Sequence, residues 1–294
     1  MSLAASLGDW LFGPFLDFGF MRRALVACLA LALGSGPVGV FLVLRRMALI
    51  GDTMSHAVLP GAAVGFLIAG LSLPAMSLGG FIAGLAVALL SGLATRFTAL
   101  EEDASFAAFF LISLALGVMI VSLHGNNVDL MHVLFGSILA VDDVSLVLVA
   151  AIATVSVLAL ALIYRPLVVE CFDPGFLRAV GGRGGAVHLV FLVLVVLDMV
   201  AGFQALGTLM AVGLMMLPAT AARFWARDVW GLVLAAVLVA MVSGFVGLVA
   251  SYHGNLPSGP AIVLCAGVIH LASLVAGPHD SLVARRLRRR HLRA

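Results

Sequence analysis

The sequence predicts an all-α protein, a polytopic transmembrane helical bundle with eight or nine spans. Of its 294 residues, 63% are hydrophobic and only 10% are charged, whereas a soluble domain has about 25% charged residues. The mean hydropathy is +1.22. Apolar residues occur in continuous runs, such as 189–197 and 232–242. Barrel strands alternate instead, and a spanning helix needs about 20 apolar residues, so helices are favoured.

The first 20 residues are predicted to lie at the membrane interface rather than across the membrane. Aromatic side chains favour the interfacial layer, and here they are interrupted by two carboxylates. A single transmembrane domain is expected from 21 to 280, and a basic tail from 281 to 294. The N-terminal segment contains Trp10, Phe12, Phe15, Phe18, Phe20, Asp9 and Asp17.

Nine apolar segments within the transmembrane domain are predicted to span the membrane. The stretch 186–221 permits two short helices or one long bent helix, so eight spans are the alternative. Gly61 and Gly65, and likewise Gly80 and Gly84, have the spacing at which membrane helices approach closely. The predicted spans are 21–44, 52–70, 74–95, 105–123, 143–164, 186–202, 203–221, 229–250 and 258–277.

The placement of arginine predicts the orientation of the chain. All 16 basic residues are arginine, and cytoplasmic loops carry an excess of basic residues. A nine-span layout puts them on one side except for Arg22 and Arg23, so that side is expected to be cytoplasmic. The tail 281–294 is then cytoplasmic, and its six arginines are expected to contact the anionic lipid leaflet rather than nucleic acid.

The absence of lysine limits the possible functions. A P-loop needs a Gly-Lys-Ser/Thr sequence to bind nucleotide phosphates, and the sequence contains no lysine. If ATP drives this protein, another chain must therefore bind and hydrolyse it. No HExxH motif occurs either, so an intramembrane metalloenzyme is disfavoured. The chain is interpreted as non-enzymatic.

Asp52 and His56 are the main candidates for chemistry inside the membrane. They are four residues apart, which places both on one face of a helix. Counted from Arg46 at the inner interface, they lie about 9–15 Å into the membrane. A carboxylate and an imidazole suit Zn²⁺ or Mn²⁺. The alternative is an internal hydrogen bond that holds two helices together, and two ligands do not complete a metal site.

Three further residues are weaker candidates for metal ligands. Asp198 is a second acid within a predicted span, and it either lines the pathway or reaches the interface. His124 and His132 flank the outer loop sequence HGNNVDLMH. They either form an entry site for the ion or belong to a solvated loop.

The loop sequence YRPLVVECFDPGFLRAVGGRGG is predicted to contain a short helix on the arginine-rich side. Pro174 is placed where a helix begins, and Gly181 and Gly182 where it ends. Exposed apolar residues on such a helix suit docking in a groove of a partner, although an ordinary interfacial connector is the alternative. The candidate coupling residues, within about 165–185, are Glu170, Asp173, Pro174, Phe176, Arg178 and Gly181.

Five segments in order resemble the zinc/manganese-type ABC permease family, also called the ABC-3 family. They cover roughly residues 20–280, and five ordered matches are far more specific than any one of them. GFQALGTLMAVGLMMLP departs somewhat from the commoner pattern of the family, which leaves the subgroup open. The segments are RRMALIGDTMSHAVLPG, VDLMHVLFGSILAV, DPGFLRAVGG, GTLMAVGLMMLPATAARF and SYHGNLPSGPAIVL.

The resemblance implies the permease subunit of an ATP-driven metal importer in the bacterial plasma (inner) membrane. Such permeases form homodimers, bind two cytoplasmic ATPase subunits and receive the ion from an extracytoplasmic binding protein. Asp52 and His56 fall on family positions associated with the metal pathway, and DPGFLRAVGG resembles the segment that contacts the ATPase. Zn²⁺ is preferred over Mn²⁺ as the substrate because an imidazole suits a borderline ion; no permanently bound cofactor is expected.

An ATPase-independent secondary transporter or channel for a divalent cation is the alternative function. It predicts that a tagged chain brings down no ATPase, and that deletions within 170–182 leave transport unchanged.

Overall fold

The structure is a computed structural model that describes residues 3–70, 72–123, 141–284 and 286. Within these residues, eight helices are long and apolar enough to cross a membrane, and no strand is present. The predicted all-α transmembrane fold is therefore confirmed. The helices are α1 Leu3–Asp17, α2 Gly19–Leu44, α3 Ala48–Ala69, α4 Leu73–Phe97, α5 Glu102–Leu123, α6 Asp143–Phe172, α7 Pro174–Ala179, α8 Gly184–Leu206, α9 Thr208–Ala222, α10 Val229–Gly254 and α11 Ser258–Ala276.

The stretch 186–221, for which two layouts were expected, forms two helices that meet at Gly207. This residue has φ 86° and ψ 161°, a backbone conformation that is essentially restricted to glycine. Helix α8 is long enough to span the membrane. Helix α9 has 15 residues and is about 22 Å long, less than the ~30 Å hydrocarbon core. The chain thus has eight full-length spans and one short apolar helix among the described residues.

The N-terminal segment forms a helix that packs on the end of α10. The rings of Trp10 and His253 are stacked with centroids 4.4 Å apart, and His253 Nε2 donates a hydrogen bond to the Trp10 carbonyl oxygen at 2.9 Å. Phe15 lies 5.3 Å from Phe245, ring to ring. The placement of α1 at the membrane interface stays a prediction.

The helices α2 to α11, apart from the short α7, run in alternating directions between two ends of the molecule. One end is here called the arginine end. There the C-termini of α2 and α6 meet the N-termini of α5 and α8, and the side chains of Arg45, Glu102, Glu170 and His188 contact one another. At the opposite end Arg23 Nη1 lies 3.3 Å from Asp143 Oδ1. The arginines at the arginine end are Arg45, Arg46, Arg96, Arg165, Arg178, Arg183, Arg223 and Arg227.

Helices α3 and α4 pack closely through glycine. A Cβ atom on Gly61 would collide with the carbonyl oxygen of Gly79, and one on Gly65 with that of Ala75. The spacing of Gly61 and Gly65 therefore marks a helix contact, as predicted. The start of α4 and the end of α3 are held together by this contact, which fixes how the candidate metal residues on α3 are presented.

Candidate metal pathway and coupling segment

Asp52 and His56 lie on one face of α3, about one and two turns from its start at the arginine end. His56 Nε2 is 3.9 Å from Asp52 Oδ1, and the side chains are 41% and 65% exposed, respectively. This separation is too long for a hydrogen bond. The imidazole nitrogen and the carboxylate oxygen therefore do not hydrogen-bond to each other and are free to bind other groups. This disfavours the alternative in which the pair forms an internal hydrogen bond that holds two helices together.

The exposure of α3 follows one helical stripe. Leu49, Asp52 and His56 face outward, whereas Met54 and Val58 are buried against the rest of the bundle. A charged side chain on a spanning helix is costly when it faces lipid. The stripe must therefore face a water-filled cavity or another protein chain.

A proline weakens the backbone of α3 next to these side chains. Pro60 lies inside the helix and has no N–H group, so the carbonyl of His56 lacks its usual helical donor. Carboxylate, imidazole and carbonyl groups are all ligands that divalent transition metals accept.

The described part of a single chain does not complete a metal site. It contains no group of three or more His, Cys, Asp or Glu side chains placed to hold an ion. His124 and His132 lie outside the described residues, so their proposed role at an entry site stays a prediction. If an ion binds at Asp52 and His56, its further protein ligands come from the residues outside the described ranges or from a second chain.

Asp198 is enclosed within the bundle rather than at the membrane edge. It is 2% exposed, and Ser156 Oγ on α6 donates a hydrogen bond to its Oδ1 atom at 3.1 Å. A Cβ atom on Gly34 of α2 would lie 3.1 Å from the same oxygen. Its Oδ2 atom has no hydrogen-bond partner among the described residues. The carboxylate thus lies where α2, α6 and α8 meet, and within the described part of the chain it contacts no second candidate ligand.

The predicted short helix is present as α7, and local sequence explains its bounds. Asp173 Oδ1 accepts a hydrogen bond from the Phe176 backbone N–H at 2.8 Å, which is the geometry of a helix N-cap. Gly181 follows the helix with φ 75°, and the Gly182 N–H donates to the Leu177 carbonyl at 2.8 Å. Such a left-handed glycine is a common helix ending.

One side of α7 is apolar and exposed at the arginine end. Phe172, Phe176 and Val180 are exposed, whereas Leu177 is buried beneath the loop. A Cβ atom on Gly182 would lie 2.5 Å from Leu177 Cδ1, so the glycine permits this close packing. The residues 165–185, here called the coupling segment, therefore present a small exposed hydrophobic surface at the arginine end.

The structure also shows a cluster that sequence reasoning missed. Arg45 Nη2 lies 3.4 Å from Glu170 Oε1 and 2.6 Å from His188 Nδ1, and His188 Nε2 lies 3.4 Å from Glu102 Oε1. Neither Arg45 nor His188 is among the candidates predicted from the sequence. The partners of Arg45 are 125 and 143 residues away, so no local pattern signals the contact.

The helical bundle and the charged face of α3 define a membrane transport subunit. The sequence matches the ABC 3 transport family over residues 17–277. The chain therefore belongs to this family, as the permease subunit of a metal ABC importer and an integral membrane protein. This confirms the resemblance inferred from the five segments, and it favours the importer over an ATPase-independent transporter.

Similar proteins cover almost the whole chain. The manganese import system permease protein ScaB of Streptococcus parasanguinis is 32% identical over 262 residues, which are 89% of this chain and 92% of that protein. The manganese transport system membrane protein MntC of Listeria innocua is 31% identical over 91% of this chain and 94% of its own length.

Solved structures support the same fold. A chain of PsaBC from Streptococcus pneumoniae in complex with Fab superposes with a TM-score of 0.83 at 27% identity, covering 95% of this chain and 99% of that chain. An inward-facing putative metal-chelate type ABC transporter superposes with a TM-score of 0.64 at 14% identity, covering 93% of this chain and 89% of that one, and this second likeness concerns the fold alone.

Proposed function

We propose that the chain forms, as a homodimer, the pathway along which an importer carries Mn²⁺ or Zn²⁺ across the bacterial plasma (inner) membrane. The observation that supports this proposal is the outward-facing pair Asp52 and His56 on a spanning helix. A two-fold axis beside α3 would bring together two carboxylates and two imidazoles from two chains. Four such ligands suit a divalent transition metal, whereas the two of one chain do not.

The ion enters from an extracytoplasmic binding protein and leaves at the arginine end. An excess of arginine at one end is typical of the cytoplasmic side, and the tail 281–294 follows α11 at that end. ATP is hydrolysed by a partner subunit, since this chain has no P-loop. The exposed apolar side of α7 docks in a groove of that subunit, in the manner of other short amphipathic helices.

Mn²⁺ is favoured as the substrate by the similar proteins, several of which are named for manganese import or transport. The sequence-based preference for Zn²⁺ rests on the imidazole of His56, since Mn²⁺ prefers oxygen ligands. This preference stays a prediction. The Asp52 carboxylate supplies such oxygens. We therefore expect uptake of Mn²⁺ to continue in the presence of equimolar Zn²⁺. Inhibition of Mn²⁺ uptake by substoichiometric Zn²⁺, with measurable Zn²⁺ uptake, would instead assign zinc.

Substitutions of the two α3 residues test the pathway. In proteoliposomes containing the complete importer, we expect Asp52→Ala and His56→Ala to lower Mn²⁺ uptake at least about tenfold, which corresponds to ~1.4 kcal/mol of lost interaction. Thr53→Ala is the matched control, because Thr53 is adjacent to Asp52 and its hydroxyl donates a hydrogen bond to the Ile50 carbonyl of its own helix. If both alanine variants transport at wild-type rates while the complex stays assembled, the pathway assignment is wrong.

A further inference from the structure

We propose that Arg45 is a positioning residue that connects the coupling segment to the metal-pathway helix α3. The proposal concerns four residues, here called the Arg45 network: Arg45, Glu102, Glu170 and His188. It rests on the proposed function, in which the coupling segment contacts the ATPase and α3 carries the metal ligands. The network would make the geometry at Asp52 and His56 depend on the state of the ATPase.

The Arg45 guanidinium is largely enclosed and has several partners. The Arg45 and Glu170 side chains are 11% and 10% exposed. Arg45 Nη2 contacts both Glu170 and His188, and the guanidinium carbon lies 5.5 Å from the centre of the Phe191 ring. Separating a charge buried to this degree from its partners is unfavourable, so the guanidinium stays beside them. When these partners move, Arg45 must move with them or remain unpaired.

The chain order places one polar partner of Arg45 within the coupling segment and the other three residues after it. Glu170 lies four residues before α7, near the end of α6, and His188 lies near the start of α8. The stretch 171–187 is therefore bracketed by two residues that contact one guanidinium. A displacement of α7 by a docked subunit acts on both contacts at once.

On its other side Arg45 is joined directly to α3. It caps the C-terminus of α2, and α3 begins three residues later at Ala48. The turn between them is tight: Arg46 has φ 60°, and the Met47 N–H donates to the Leu42 carbonyl at 2.9 Å. A shift of Arg45 is thus transmitted to the start of α3, four residues before Asp52.

Hydrogen-bond chemistry fixes the direction of the remaining contact. Arginine is only a donor, so His188 Nδ1 must accept from Arg45, and the imidazole proton is on Nε2. His188 Nε2 lies 3.4 Å from Glu102 Oε1 on α5. Helix α5 packs on α3, where the Phe110 ring lies 6.1 Å from that of His56. The network therefore reaches the metal-pathway helix by two routes.

The network is incompletely paired in this conformation. Arg45 Nη1 and Glu170 Oε2 are buried without a hydrogen-bond partner among the described residues. Unpaired buried polar atoms cost desolvation free energy, so a contact that served stability alone would be expected to satisfy them. Free donor and acceptor atoms on both partners are what a second arrangement of the same pair would use.

The test compares metal transport with ATP hydrolysis in the same proteoliposomes containing the complete importer. For Arg45→Gln and for Glu170→Gln we expect an assembled complex in which Mn²⁺ transported per ATP hydrolysed falls about fivefold or more, the lower bound of typical coupling between sites. His188→Asn, which keeps an acceptor near the Nδ1 position, should retain more of this ratio than His188→Leu.

A double variant separates positioning from simple structural support. Each single substitution leaves an uncompensated buried charge, whereas the double variant Arg45→Gln/Glu170→Gln removes both charges. We expect the double variant to recover the thermal stability of the wild type but not its ratio of transport to ATP hydrolysis. Recovery of both quantities, or a proportional loss of uptake and hydrolysis in the single variants, would overturn the proposal.

Phe176→Asp distinguishes a failure of this proposal from a failure of the proposed function. Phe176 is exposed on α7 and takes no part in the Arg45 network. If Phe176→Asp prevents assembly with the ATPase but the Arg45 variants keep the wild-type ratio, only the Arg45 proposal fails. If Phe176→Asp leaves assembly and transport unchanged, the coupling role of α7 is wrong, and the proposal that rests on it falls with it.

Discussion

At the scale of single residues, Asp198 is the carboxylate whose role the structure constrains most. It is buried, it accepts one hydrogen bond from Ser156, and it contacts no second candidate ligand among the residues that the structure describes. An amide of the same shape can accept the same bond without carrying a charge. We therefore expect Asp198→Asn to retain Mn²⁺ transport and to melt at or above the wild-type temperature, since burying an isolated charge is unfavourable.

The matched substitution is Ser156→Ala, which removes the hydroxyl donor and leaves the carboxylate in place. It should lower the free energy of unfolding by about 1–3 kcal/mol, because a buried acceptor loses its partner. Transport by a well-folded Asp198→Asn protein that fell to background would instead return Asp198 to the metal pathway.

A contact between two residues could be predicted from the sequence when the residues are close together in the chain, and not when they are far apart. Asp52 and His56 are four residues apart, and helix geometry alone puts them on one face, as the structure has them. Asp173 and Pro174 are adjacent, so the start of α7 could also be predicted. Arg45 and His188 are brought together only by the packing of α2 against α8, and their role could not be inferred from either neighbourhood.

At the scale of elements, the glycine contact between α3 and α4 makes a direct prediction. Gly61→Ala places a methyl group against the Gly79 carbonyl, so the helices must separate. Overpacking of this kind costs about 1–3 kcal/mol. We expect a lower thermal midpoint in detergent for Gly61→Ala, and reduced metal transport because α3 also carries Asp52 and His56.

Gly92 provides the control for this prediction. It lies within α4, and a Cβ atom there meets nothing within 4 Å. Gly92→Ala should therefore leave stability unchanged or raise it by up to about 1 kcal/mol, as alanine favours helix. Equal destabilisation by both substitutions would show that the α3–α4 contact is not as close as the structure has it.

Element boundaries show where sequence patterns are insufficient. Continuous apolar composition predicts that 186–221 is helical and membrane-embedded, but it does not reveal a break. The break depends on the backbone conformation of Gly207, and glycine is also common inside membrane helices. The short length of α9 is therefore a finding of the structure, whereas the eight longer helices follow from apolar length alone.

At the scale of the whole molecule, the outward face of α3 requires a neighbour. Asp52 is more than half exposed in a single chain, and lipid contact for a carboxylate at this depth is unfavourable. In a symmetric dimer the same surface of both chains is covered, and residues near the two-fold axis lie beside their own copies. The proposed homodimer thus resolves both the exposed charge and the incomplete ligand set.

Cross-linking in native membranes tests this arrangement. In a background where Cys28, Cys171 and Cys265 are replaced by alanine, we expect Leu49→Cys and Thr53→Cys each to give covalent dimers with a short bifunctional thiol reagent. Both residues lie on the outward stripe of α3. Leu162→Cys is the control, since Leu162 is the most exposed large hydrophobic residue of α6 and is expected to face lipid. Dimers of Leu162→Cys without dimers of the α3 variants would place the interface at α6 and remove Asp52 and His56 from the dimer axis. Equal yields of cross-linked dimer from all three variants would show that the chains collide at random in the membrane.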